Sequence, residues 1–151
     1  MYTEQLTQRL GISAPVAPQT LTATSTVNSG KVDMSVFHRA LFFFETGAFG
    51  GTGPTLSAVL QIQDSPDGTT WTNNATIPSA TVTAASKQAT QEIRADQLNS
   101  GARYVRLQAV CTIGGTSPTI PVAVVGFGDE AAHKPGSAQN DASVVSQTVV
   151  N

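Results

Sequence analysis

The chain has 151 residues, of which 40% are apolar and only 12% charged, with a formal net charge of -2. That length suits one domain with a real core, and it leaves solubility to Thr, Ser, Gln and Asn rather than to a charged surface. Lys and Arg are scattered, which excludes a basic phosphate-binding face and with it a nucleic-acid partner; no stretch nears the roughly 18 apolar residues of a membrane span.

The opening Met1-Tyr2-Thr3-Glu4 lacks the basic start and apolar run of a signal peptide. The expectation is a chain made and kept in the cytosol, or released by lysis. Tyr2, Leu6 and Leu10 recur at helical spacing, and Gly11 supplies a stop, so Tyr2 to Leu10 is predicted as a short amphipathic helix. Such a run is too short to be stable alone and must dock on something. Pro15 and Pro18 then break the chain.

From Gln19 the period changes to two. Leu21, Ala23, Ser25 and Val27 alternate with threonines, which predicts a half-buried strand. Asn28-Ser29-Gly30 turns the chain. Arg39 to Thr46, with Leu41-Phe42-Phe43-Phe44, reads as an apolar strand covered on both faces. In Thr55 to Gln63, Leu56, Ala58, Leu60 and Ile62 point one way, while Ser57, Gln61 and Gln63 point the other. Ser65-Pro66-Asp67-Gly68 is a turn. Ser86 to Ile93 is a polar strand candidate, and Ala95 to Leu98 a helical turn. Tyr104 to Thr112 and Ile120 to Val125 are the last strands. Leu56, Leu60, Ile62, Val105, Leu107 and Val122 are the expected core.

Gly50-Gly51-Thr52-Gly53-Pro54-Thr55-Leu56 matches Gly114-Gly115-Thr116-Ser117-Pro118-Thr119-Ile120. Both read as equivalent hairpin connections, each with glycines to turn and a proline at a strand entrance. They are expected at the same end of a sandwich. After Gly128 the chain turns small and polar, with apolar pairs at Val144-Val145 and Val149-Val150. This tail cannot pack a core of its own. Either it is unstructured or it is an arm that adds to a neighbouring subunit's sheet edge.

The fold expected is therefore all-β: an antiparallel β-sandwich or jelly-roll-like domain over residues 19–128. A helix and linker arm (1–18) precede it, and an extended C-terminal arm (129–151) follows. The apolar positions outside the sandwich, namely Tyr2, Leu6, Leu10, Val144, Val145, Val149 and Val150, are the candidate partner-binding residues.

Catalytic patterns are missing. His38 and His133 stand alone, and the single cysteine, Cys111, can form neither an intramolecular disulfide nor a thiolate metal site. In its apolar setting Cys111 is expected to be a buried thiol. Asp64 and Asp67 could be paired carboxylates, but beside Ser65-Pro66 they fit turn caps better. Trp71 is a core or rim anchor, or else a sugar-stacking ring.

The run Gln61-Ile62-Gln63-Asp64-Ser65-Pro66-Asp67-Gly68-Thr69-Thr70-Trp71-Thr72 resembles a hairpin motif of structural proteins from tailed phages. Arg103-Tyr104-Val105-Arg106, followed by Gly114-Gly115-Thr116-Ser117-Pro118, is similar to a segment of the same proteins. Together these cover residues 39–126. The resemblance implies a non-enzymatic virion protein, such as a head decoration (cement) protein, with no catalytic residues and no cofactor. It would be made in the host cytoplasm and sit on the capsid surface. Its partners would be the major capsid protein or other virion proteins, and it would form a dimer or trimer. Similar motifs occur in cellular β-sandwich modules that bind sugars, including discoidin-like domains. The alternative is thus a carbohydrate-binding or adhesion module on a tail or fibre, with Trp71 or Tyr104 as stacking platforms.

Overall fold

A computed structural model of the chain describes residues 5–133 and 135–145. Its centre is one long antiparallel ribbon. Strands β5 (Phe37–Thr46) and β6 (Gly50–Ser65) follow each other along a single partner, β10 (Tyr104–Ala131). Pairing runs from Phe37↔Ala131 to Thr46↔Val122, then from Gly50↔Thr119 to Ser65↔Tyr104. The Gly47 N–H donates to the Pro121 carbonyl at 2.9 Å and carries the ladder across the gap.

The ribbon folds at its middle, and its two halves become the two layers of the domain. In the first layer β9 (Gln88–Arg94) pairs with β5. There β1 (Gly11–Ile12) and β2 (Val16–Leu21) pair with the second half of β10. In the second layer β3 (Ser25–Asn28) and β4 (Val32–Asp33) pair with the first half of β10, and β7 (Thr72–Asn73) and β8 (Ala80–Val82) pair with β6. All pairs are antiparallel, so the all-β expectation holds.

The two glycine-rich repeats are the fold line. They are not two hairpin connections, as their sequence suggested, but partners of each other: Gly50↔Thr119, Thr52↔Thr116 and Thr55↔Gly114, with register shifts between. Gly51 and Gly115 have φ of +102° and +110°. A Cβ on Gly51 would lie 2.5 Å from the Ser117 carbonyl oxygen, and one on Gly115 2.7 Å from that of Gly53. Each repeat therefore presses its bare glycine backbone on the other, which only glycine permits.

The bend also resets the phase of β10. Val105, Leu107, Ala109 and Cys111 are buried before it; Ile120, Val122 and Val124 after it. The inward positions switch from odd to even, as a bulge allows. All six expected core residues are buried in one cluster with Phe42, Phe44 and Ile93.

Other expectations need correction. The strand predicted from Gln19 to Val27 is two strands in different layers. Leu21 and Val27 are buried, but Ala23 is exposed where the chain crosses between layers. Of the helix predicted from Tyr2 to Leu10, residues 2–4 lie outside the described residues and the described part is a single turn, α1 (Leu6–Arg9), while β1 and β2 begin before the expected start of the sandwich. The expected extended C-terminal arm folds back as far as it is described, through a 3-10 turn at Gly136–Gln139. Finally, β5 is not covered on both faces: Phe42 and Phe44 are buried, while Leu41 and Phe43 face outward, half-buried.

Candidate interaction surfaces

The two ends of the chain meet at one place. The Arg9 guanidinium donates twice to Asp129, Nε to Oδ1 at 3.1 Å and an Nη to Oδ2 at 2.7 Å. This bidentate pair ties α1 to the end of β10. Burial pushes the Asp129 carboxyl up, but the hydrogen bonds from Arg9 and the Glu130 backbone, with the charges of Arg9 and Arg39, together outweigh it and the group ends below its ordinary range. The Ile12 N–H donates to Asn140 Oδ1 at 2.8 Å, and the Asp141 N–H donates to the Ile12 carbonyl at 2.7 Å. Gly136 is buried so tightly that a Cβ there would lie 2.7 Å from the Arg9 carbonyl. Both arms, in their described parts, thus dock on the domain that carries them.

This docking places Leu10 beside the outward residues of the first layer. Leu10, Leu41, Phe43 and Phe127 line an apolar groove of about 420 Å³, rimmed by Arg39, Glu92 and Asp129. Leu41 pairs with Phe127 across the ribbon, and the Phe43 and Phe127 rings meet edge-on at 5.9 Å. The run Leu41-Phe42-Phe43-Phe44 carried the signal for this groove. Read as a strand covered on both faces, it concealed that one face is open.

Of the residues singled out for partner binding, Leu10 is in the groove. Leu6 is 69% exposed and Val144 46% exposed, and Val145 is half-buried. Tyr2, Val149 and Val150 lie outside the described residues.

Both candidate stacking rings have cations over them. The Arg106 guanidinium lies over the Trp71 ring, 4.4 Å from its centroid, and its Nε donates to Gln63 Oε1 at 2.9 Å. One indole face is therefore already used. The Tyr104 ring is covered too, with the Lys31 ammonium 4.8 Å and the Arg103 guanidinium 4.9 Å from its centroid, and it lines a cleft of about 580 Å³ together with Ser13, Lys31, Asp33, Gln139 and Asp141.

The two aspartates around the turn part company. Asp67 is the expected cap: it accepts from the Thr69 and Thr70 N–H groups, each at 2.8 Å. Those backbone bonds hold its carboxyl far below the usual carboxylate range. Asp64 is buried, and accepts from Asn74 Nδ2 at 2.8 Å and from the Asn99 N–H and Nδ2, both at 2.9 Å. It pins β6 to the segments around Asn74 and Asn99. Among the described residues no group of three or more His, Cys, Asp or Glu could hold a metal ion, and no helix is long and apolar enough to cross a membrane. The Cys111 thiol is buried, and burial pushes its pKa up to about 11.

Fold and surfaces together define an all-β, two-layered domain with an open apolar face. The crystal structure of PBSX exported protein XepA has a similar fold, with a TM-score of 0.54 and 17% sequence identity. The match covers 87% of this chain and 40% of that one, so the chain spans less than half the length of that protein. No protein-family model matches, and no curated protein matches by sequence.

Proposed function

We propose that this chain is a non-enzymatic structural protein of a tailed-phage particle, a decoration (cement) module that binds the head and stiffens it. The fold likeness to an exported protein of the phage PBSX carries this reading. It agrees with the phage-like motifs at Gln61–Thr72 and Arg103–Arg106. The open apolar groove supports it further, because a free monomer gains nothing by leaving Leu41, Phe43 and Phe127 uncovered.

On this reading the first-layer groove, with Leu10 at its margin, receives apolar side chains of the major capsid protein or another virion subunit. The bound form is a dimer or trimer on the capsid surface. Completing the burial of one half-buried Leu or Phe would contribute about 1 kcal/mol, roughly half of a full side chain's worth. Many copies per shell would multiply a modest single-site affinity. With so little charge on the chain, salt should weaken attachment only mildly.

The test is immunogold labelling of purified particles, alongside quantitation of the chain per particle for wild type and Phe43→Gln. Gold on heads, with occupancy reduced in the variant, supports the reading. Gold on tails alone, or the chain found only in the soluble fraction of the lysate, overturns it.

A further inference from the structure

The first layer ends on an open strand edge. Strand β9 closes that layer and pairs only with β5, from Arg39↔Arg94 to Glu45↔Gln88. The Thr46 N–H donates to the Lys87 carbonyl at 2.9 Å, one residue before β9, and this bond fixes the alternation. In an antiparallel ladder every second residue bonds across to its partner strand. Ala89, Gln91 and Ile93 therefore turn their backbone groups towards β5, whereas Gln88, Thr90, Glu92 and Arg94 turn theirs away. The Arg94 N–H agrees with this phase, since it donates to Gln97 Oε1 at 3.0 Å instead of to β5. Gln88, Thr90 and Glu92 are exposed, and no strand among the described residues meets their outward N–H and C=O groups.

Nothing in β9 blunts this edge. It runs seven residues, Gln88–Arg94, with no proline and no glycine. Its charged side chains, Glu92 and Arg94, alternate with the buried Gln91 and Ile93, so they stand on the outer face and not beneath the sheet. The other edges are poorer templates: β1, β4 and β7 have two residues each, β8 three and β3 four, and β2 carries Pro18. The edge that matches β9 best is therefore β9 itself. A two-fold axis through Thr90 sets Thr90 against its own copy and Gln88 against Glu92, and this register uses the outward groups of all three residues. Centring on Gln91 would instead set Gln88 against Arg94, whose N–H is already taken. With the axis at Thr90 two hydroxyls meet, each Gln88 amide faces a carboxylate, and no like charges are opposed. We propose that two copies of this chain join antiparallel through β9, fusing their first layers into one continuous sheet. The inference deepens the reading above, on which it rests for the presence of an oligomer, by naming the surface that makes it.

The experiment is analytical ultracentrifugation of the full chain over a concentration series. One short strand pair is a small interface, at the weak end of specific contacts, so the expected result is a monomer–dimer equilibrium that is mostly dimer by about 1 mM. Thr90→Pro removes the N–H on the axis but none that β5 uses. It should raise the dissociation constant about tenfold or more, with the circular dichroism of the folded chain retained. Thr90→Lys opposes two ammonium groups on the axis and should act in the same direction; it decides if Thr90→Pro does not fold. Register is read by oxidative cross-linking. Thr90→Cys should couple two chains, and Gln88→Cys should not, because Gln88 stands opposite Glu92 and not opposite its own copy. Cys111 is buried and does not compete. Three outcomes overturn the proposal: a monomer at every concentration, a dimer that neither Thr90 variant weakens, or cross-linking through Gln88→Cys as fast as through Thr90→Cys. Occupancy on labelled heads is a separate readout, so this pairing and the attachment to heads fail independently.

Discussion

Gly115→Ala tests the folded ribbon directly. Gly115 has φ +110°, well away from the left-handed helical well, so an alanine there stores about 1–3 kcal/mol of backbone strain. The new Cβ also lands 2.7 Å from the Gly53 carbonyl oxygen and 3.0 Å from both the Gly53 carbonyl carbon and the Pro54 Cα. These are backbone atoms of the facing repeat, which cannot swing aside, so the two strands must separate at a further cost of about 1–3 kcal/mol. The expected loss is about 2–6 kcal/mol. Two neighbours serve as controls. Gly53 has φ +60° and nothing within 4 Å of an added Cβ, so Gly53→Ala should cost only the left-handed strain, about 1–2 kcal/mol. At Gly114 the Cβ would meet only the Thr55 hydroxyl, at 2.6 Å. That side chain can change rotamer, so Gly114→Ala should cost about 1 kcal/mol or less. Urea unfolding followed by the fluorescence of Trp71, the single tryptophan, gives all three values. A loss at Gly115 within about 0.5 kcal/mol of wild type would refute the facing-glycine account, as would a larger loss at Gly53 than at Gly115.

Asp64→Ala should cost about 3 kcal/mol in the same assay, because it strips the acceptor from three donors of Asn74 and Asn99; a loss below about 1 kcal/mol would mean that these donors find other partners. Cys111 should resist thiol reagents at pH 8 in the folded chain, since burial holds its pKa at about 11, and should react only as urea unfolds it. Fast labelling without denaturant would contradict this. Acid should weaken the fold through Asp33. Burial pushes its carboxyl up, but hydrogen bonds from Arg103 and Ser35 hold it down at about 2, against 3.8 unperturbed. A depressed folded pKa means that the contribution is complete above 3.8 and is lost as pH falls towards 2. Asp33→Asn should flatten thermal stability against pH in that window, and an unchanged acid slope would show that other carboxylates carry it.

Local pattern was enough for the central strands and for the six core residues read from them. Leu56, Leu60 and Ile62 are buried because alternation at period two reports a half-buried strand wherever it occurs. Ser65-Pro66-Asp67-Gly68 turns because its residues have the right backbone preferences, and Ala95–Gln97 makes its short helical turn where expected. The neutral polar surface was equally visible in the residues themselves.

Pairing was not visible, because alternation says that a face is buried but not against which strand. The two glycine repeats stood out in sequence, yet only the tertiary structure made them partners across one ribbon and showed β10 changing phase between Cys111 and Ile120. The same reason explains the two surfaces. Leu41 and Phe43 look like core until the layer that would cover them proves to be absent among the described residues, with only Leu10 at the groove's margin. Tyr104 and Lys31 lie 73 positions apart and become neighbours only when β4 pairs beside Tyr104. Side-chain chemistry and period are properties of neighbouring residues, and these can be read along the chain. Clefts and grooves are made by contacts across long sequence separations, and those are decided by which pairing of strands buries the most apolar surface at once.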